Sequence, residues 1–467
     1  MEPAAAGLFD GVLARGEVRG IMSDASWLQA MLDAEAALSR AEADAGLLPV
    51  RYAEAIDAEC RAERFDPAAI GAAAAASGNP VIPLVRALTD HVLRAHGEQA
   101  AGWVHHGATS QDISDTAAML LARRALAVIS ADLAASAERC AQLARLHEHT
   151  VLAARTLLQQ ALPTTFGLKA AGWLAALDEA AAELRRVAAG LPAQLGGAAG
   201  TLASLGEHGL PVLAAYAARL ELPEPMLAWH SHRLPALRVA SACGLAGAVA
   251  GKIARDVVLL SQTEVGEVRD GVPGRGGSST LPHKQNPVAA VSVLAASGQL
   301  PGLVATLLAA AGHEHERAAG SWQGEWAPLS ALLTAAGSAA AWLRDCLETL
   351  VVDADRMRAN LELTHGLLLA ERIATHLAPA VGRLAAHELV EGAAQTCVAT
   401  GRDLHEVLLA DQQLRSLLVE AGIDEARLRV LLDPTGYLGS ATALLRRTLE
   451  HHEGQHLALH RAPEENL

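Results

Sequence analysis

An all-α architecture is the fold class this sequence predicts, and three observations carry it. Alanine, the strongest helix former, dominates the 467 residues, while aromatic residues make up only 3%. Long stretches, such as 115–149 and 235–267, keep apolar residues at helical spacing with no proline after the first residue. Prolines instead fall mostly between such stretches. Residues 1–114 read as an N-terminal domain of short helices. Ser23-Asp24-Ala25-Ser26 starts one of them, followed by Trp27, Leu28, Met31, Leu32, Ala36 and Leu38 on one face. Asp66-Pro67 and Ser77-Gly78-Asn79-Pro80 interrupt this region. Residues 115–365 form a central long-helix domain. Its helices run over 115–149, 165–190 and 235–267, then one follows Pro287 with a break at Pro301, and one runs from Trp326 past Val351. Residues 366–467 form a C-terminal helical domain cut by Pro379, Gly382, Gly401, Gly422 and Asp433-Pro434-Thr435-Gly436. Long helices that are apolar on most faces need other helices around them. One chain supplies about five, so sharing them among identical subunits is the simplest cover, and a homo-oligomer is predicted.

The bulk numbers exclude several functions. A net charge of −15 argues against a nucleic-acid partner, which requires a basic face. An acidic protein that handles small anionic substrates must gather its cations locally. Cys60, Cys140, Cys243, Cys346 and Cys397 are widely spaced with no CxxC pair, as expected of reduced, buried thiols in a cytoplasmic protein. Met1 to Asp10 has no basic segment, so no signal peptide is expected. The uncharged run 286–313 is long enough to span a bilayer. Its Pro287, Ser292, Ser297, Gln299 and Pro301 favour a helix at the centre of a soluble bundle, so no membrane contact is expected.

Four segments carry chemistry. The first is Gly274-Arg275-Gly276-Gly277-Ser278-Ser279-Thr280-Leu281-Pro282-His283-Lys284-Gln285-Asn286-Pro287. Its glycines let successive N–H groups turn inward and form an anion-binding concavity. Lys284 adds a full charge and Asn286 a neutral donor. A serine in such a nest can act as an acid or base beside a carboxylate, where charge builds as an aci-carboxylate. The segment lacks the Gly-Lys-Ser/Thr ending of a Walker loop. The second is His105-His106-Gly107-Ala108-Thr109-Ser110-Gln111-Asp112, ahead of a long helix whose N-terminus attracts anions. Taken alone, Ser110 or Asp112 reads as a helix cap. The third is Arg155-Thr156-Leu157-Leu158-Gln159. The fourth is His313-Glu314-His315-Glu316-Arg317, where Arg317 either clamps a carboxylate or pairs with Glu314 or Glu316. Arg233 is a further candidate for substrate contact. His452, His456 and His460 recur at i, i+4 and i+8 without a supporting carboxylate or cysteine, and no metal site is expected.

The first segment resembles the signature Gly-Ser-Ser-x-Met-Pro-x-Lys-x-Asn-Pro of the fumarase/aspartase superfamily, with Leu281 in place of methionine. The second resembles the superfamily's His-x-Gly-x-Thr-Ser-x-Asp segment. The third resembles its Arg-Thr-His-x-Gln segment, with Leu157 where the general-acid histidine stands. Further similarity, to the bacterial cycloisomerase branch, lies in Gly78-Asn79-Pro80-Val81-Ile82-Pro83, Gly196-Gly197-Ala198-Ala199-Gly200-Thr201 and Asp433-Pro434-Thr435-Gly436-Tyr437-Leu438-Gly439. The resemblance implies three all-α domains and a homotetramer around a twenty-helix core, with active sites shared between subunits. It implies Ser278, Lys284 and Asn286 as the catalytic set. Thr109, Ser110, His105, Arg155, Gln159, Ser279 and Arg317 would bind a small anionic di- or tricarboxylate. Neither a metal nor an organic cofactor is implied. The implied reaction interconverts 3-carboxy-cis,cis-muconate and 4-carboxymuconolactone in the protocatechuate branch of the β-ketoadipate pathway. Leu157 fits a carboxylate leaving group, whose conjugate acid has a pKa of about 4 and which departs without a proton. It fits equally a lyase that releases fumarate from a succinate bearing a stable anion, such as nitrosuccinate. A silent scaffold has no physical need for the intact Ser278 loop.

Overall fold

The computed structural model describes residues 7–461, with side chains to residue 454. Met1–Ala6, part of the stretch read above for a signal peptide, and the side chains of His456 and His460 lie outside the described residues. Among the described residues the fold is all-α with two short antiparallel strand pairs. The chain divides into two compact units: residues 1–135, 179–254 and 289–345, and residues 136–178, 255–288 and 346–467.

In the first unit, Ser23 caps the helix Asp24–Asp44 by accepting the Ser26 N–H at 3.3 Å. That helix packs on Val50–Glu59 and Gly209–Arg219. Asp66 caps Pro67–Ser77, with proline just inside the start, and Gly78 ends it in the left-handed region. The helix Ser110–Leu146 begins in this unit, and Leu234–Leu260 and Ser321–Glu348 lie largely within it. The apolar run after Pro287 is two helices, Val288–Ser297 and Leu300–Ala310; the break falls at Gly298-Gln299, and Pro301 sits in the first turn of the second. Gly247 shows why small residues matter here: a Cβ on it would meet Leu300 Cδ1 at 2.0 Å. Val288–Ala310 and Ser321–Glu348 are each long and apolar enough to cross a membrane; the second is 61% buried, the first only 33%. Leu245 on Leu234–Leu260, Val291 on Val288–Ser297 and Leu308 on Leu300–Ala310 remain exposed.

A buried ion cluster ties the long helices of this unit together. Arg233 donates to both oxygens of Asp115 (2.7 and 2.9 Å) and, through Nη2, to Glu325 (2.7 Å). Burial opposes its charge, but Asp115 and Glu325 outweigh burial and push the guanidinium pKa up. Trp322 Nε1 donates to Asp115, and His313 Nε2 lies 3.1 Å from Glu325. Arg233 is therefore buried with its donors engaged by Asp115, Glu325 and the Trp229 carbonyl, as part of an ion cluster rather than as a free cation.

In the second unit, Val151–Thr156 and Gln159–Thr165 pair as a hairpin, with Thr156 opposite Gln159. The helical reading of the sequence did not include it. The strands carry no clean alternation, and Pro163 interrupts the second. Leu157 and Leu158 form the turn with φ of +52° and +66°, a conformation that usually selects asparagine and glycine. A second pair joins Val268–Asp270 to Leu350–Val352. The helices Ala370–Val381 and Arg383–Thr400 pack around Ile373, Leu377, Ala386, Val390 and Leu408. All five cysteines are buried and unbridged.

His452, 1% exposed, clamps the last helix, Ala441–Arg461. Its Nδ1 lies 2.9 Å from Asp178 Oδ2 and its Nε2 3.3 Å from Glu138 Oε2. Removing one partner of a buried pair leaves the rest uncompensated. His452→Ala should lower stability by about 3 kcal/mol, read as a lower urea midpoint with faster amide exchange in that helix. An unchanged midpoint would show that the clamp contributes nothing.

Candidate active site

The segment 102–112 is built around one carboxylate. Asp112 Oδ2 accepts the N–H of Thr109 and of Gly197, each at 2.9 Å. Its Oδ1 accepts the Gly196 N–H at 3.0 Å and faces His230 Nε2 at 2.6 Å. The bond to Thr109 N–H is the return half of a capping box, with Thr109 at the N-cap of Ser110–Leu146. The Thr109 hydroxyl instead accepts from Arg317 Nη1 at 2.8 Å. Arg317 Nη2 donates to the carbonyls of Ala198 (3.1 Å) and Gly197 (3.4 Å). Glu314, the rival partner for Arg317, accepts the Ala319 N–H. Arg317 Nε is buried with no acceptor. Thr109 and Arg317 thus come together at the N-terminus of Ser110–Leu146, a helix end that attracts anions. His105 belongs to the same segment, with φ of +60° and Nδ1 2.6 Å from Glu35 Oε1. Glu35 was not singled out by sequence reasoning. The signal was present, because Leu28, Met31, Glu35, Leu38 and Glu42 recur on one buried stripe.

In the second unit the Arg155 guanidinium is held by Glu267, with Nη1–Oε2 at 2.9 Å and Nη2–Oε1 at 2.6 Å. Asn360 Nδ2 donates to the same carboxylate at 2.8 Å. Glu267 is fully buried, so the pair fixes the turn end of the hairpin to the segment that leads into the strand at Val268. Gln159 is exposed beside the turn, while Gln160 donates to Asn360 O. Leu157 is 97% exposed.

The signature loop of this unit is pinned at both ends. Arg275 forks onto Asp270 (2.7 and 2.9 Å) and also reaches Thr349. Asn286 donates both its backbone N–H and its Nδ2 to Gly276 O, each at 2.9 Å. Asn286 is therefore a brace of the loop in this state. Gly276 has φ of +77°, and a Cβ there would meet Asn286 O at 2.1 Å, so only glycine fits. Within this frame Ser278 Oγ accepts N–H groups from Leu281 (3.1 Å) and Thr280 (3.3 Å). Donors aimed at a hydroxyl oxygen favour its alkoxide. Ser279 and Lys284 are exposed on the same loop. Among the described residues no cluster of His, Cys, Asp or Glu is arranged to hold a metal ion.

Comparison with known proteins places the chain among relatives along its length. Residues 13–302 match the family described as lyase, and residues 366–448 match the adenylosuccinate lyase C-terminus. The chain is 46% identical over 452 residues to the 3-carboxy-cis,cis-muconate cycloisomerase of Bradyrhizobium diazoefficiens, covering 96% of this chain and 99% of that protein. It is 45% identical to the nitrosuccinate lyase of Streptomyces davaonensis, covering 95% and 94% respectively. The crystal structure of the 3-carboxy-cis,cis-muconate lactonizing enzyme from Pseudomonas putida superposes with a TM-score of 0.89 at 42% identity, covering 96% of this chain and 99% of that one. The signature loop, the Thr109 segment and these end-to-end similarities lead to one conclusion: the chain belongs to the lyase family of the fumarase/aspartase superfamily.

Proposed function

We propose that this enzyme interconverts 3-carboxy-cis,cis-muconate and 4-carboxymuconolactone. The observation that carries the reading is Ser278 Oγ, held by two backbone N–H groups in a loop pinned at Gly276. In the lactone-forming direction, one substrate carboxylate oxygen adds to a double bond conjugated with a second carboxylate. The C–O bond forms as the double-bond electrons move into that second group, giving an aci-carboxylate. Ser278 then delivers its proton to the α-carbon, and the two N–H groups hold the alkoxide until solvent returns a proton. In reverse, the alkoxide removes the α-proton and the lactone C–O bond breaks to release a carboxylate. Lys284 and the loop backbone balance the charge on the acid, with Ser279 beside them.

Thr109, Ser110 and Arg317 bind the other carboxylates. The Thr109 oxygen already accepts from Arg317, which leaves its hydroxyl hydrogen for the substrate. Arg317 holds its charge beside that hydroxyl. His105, Arg155 and Gln159 complete the substrate set; Arg155 acts from its bond to Glu267, orienting the hairpin. Leu157 suits a leaving group that needs no proton.

The assembly is part of the same reading. Leu245, Val291 and Leu308 would be covered in a homotetramer with a twenty-helix core. Its subunits would each divide at residues 114 and 365 into three domains and would share their active sites. The enzyme would work in the cytoplasm, with neither a membrane nor a nucleic acid as partner. A second reading has its own support: the 45% identical nitrosuccinate lyase, and a Leu157 that serves the loss of nitrite equally well.

An ultraviolet time course with 3-carboxy-cis,cis-muconate tests the choice. The conjugated-diene absorbance should fall, and Ser278→Ala should lower kcat by about 10³-fold with the oligomer intact. Steady absorbance, with fumarate appearing from nitrosuccinate, would transfer the reading to the lyase. Gly276→Ala should lower kcat by about 10²-fold with unchanged circular dichroism, because the loop cannot keep its shape. Full activity in that variant would show that the pinned geometry is dispensable.

A further inference from the structure

Two buried acids outside the signature segments face the loop that carries Thr109. Glu35 and Glu42 lie seven residues apart on Asp24–Asp44, hence on one face, and are 1% and 0% exposed. Glu35 Oε1 lies 2.6 Å from His105 Nδ1, and Glu42 Oε1 lies 2.6 Å from His106 Nδ1. Their second oxygens are buried without partners. The positions belong to the apolar stripe of Leu28, Met31 and Leu38, where leucine would pack without any desolvation penalty. Folding alone gives no reason for carboxylates there.

We propose that Glu35 is a positioning residue for the reaction: its bond to His105 fixes that imidazole and sets its charge, so that a tricarboxylate meets a cation there in addition to Arg317 and Lys284. The proposal rests on the cycloisomerase reading. The geometry supports it in two ways. His105 has a left-handed backbone, which a non-glycine residue keeps only where surrounding contacts enforce it. A carboxylate at Nδ1 leaves the proton on Nε2 as the one a ligand can use. Burial works against the charge, but Glu35 and then Asp112 outweigh it and hold the His105 pKa above its ordinary value. Glu35 in turn acts on Glu42 of its own helix, on Cys60 and on Tyr216. Burial, against the pull of His106, raises Glu42 to about 7, so Glu42 carries only part of a charge near neutrality.

The sign follows directly. A raised imidazole pKa keeps the cation to higher pH, and removing the Glu35 charge lowers that limit. Glu35→Gln retains an acceptor for Nδ1–H and removes only the charge. Diethyl pyrocarbonate attacks neutral imidazole, so its rate at His105, read by tandem mass spectrometry across pH, reports the charge without turnover. In Glu35→Gln the midpoint should move to lower pH by about one pH unit, and the alkaline limb of kcat/KM for 3-carboxymuconate should move with it, chiefly through KM. Glu35→Asp, with the charge drawn back by one methylene, should fall between the two. An unmoved midpoint overturns the proposal. So does a moved midpoint with an unmoved kcat/KM limb, which would leave the pair merely structural. If the parent enzyme turns over nitrosuccinate and not carboxymuconate, the cycloisomerase reading fails, and the modification profile separately decides whether Glu35 sets the charge of His105.

Discussion

The first unit depends on the burial of Asp112. One carboxylate gathers three backbone N–H groups, from Thr109, Gly196 and Gly197, and one histidine, His230. These four partners come from three stretches of chain far apart in sequence. An ionised carboxylate in such a place is tolerable only when its lone pairs are filled. Each filled lone pair also orients something useful. The Thr109 contact frees that residue's hydroxyl from capping. The Gly197 contact turns the 197–198 carbonyls so that Arg317 can lean on them. The donors offered to an anion are thus the outward face of a buried charge.

The second unit uses the same device twice more. Glu267 organises Arg155 and Asn360, and Asp270 organises Arg275 beneath the signature loop. In both cases an acid binds an arginine that sequence alone offers equally to a ligand. A net negative chain that handles anions must hold its cations in place, since free arginines would be neutralised by whichever surface acid came nearest.

Much of this was legible in the sequence, for identifiable reasons. The long helices could be read because alanine and helical spacing agree over many turns, so local and global preferences reinforce each other. The Ser278 loop could be read because its glycines, serines, lysine and asparagine stand at fixed offsets. Thr109 and Ser110 were visible as a helix start. The hairpin at 151–165 was not, because its strands lack alternation and its turn residues are leucines. Arg233 looked like a ligand to substrate because nothing local announces Asp115 and Glu325, which reach it from other helices. Glu35 and Glu42 were hidden by the opposite effect: acids on an alanine-rich helix read as a solvated face unless the apolar stripe is traced through them.

The hairpin tip has one more implication. Leu157 and Leu158 hold a left-handed backbone, which disfavours a branched side chain by about 1 kcal/mol per residue relative to glycine. They also present 97% and 71% of their surface to solvent. An isolated hairpin would be improved at both positions by asparagine and glycine, in shape and in solubility alike. Within this chain, then, the tip is kept against its own folding preference. The folding of the hairpin therefore gives no reason for these two leucines, and either could be replaced by asparagine or glycine without disturbing the scaffold.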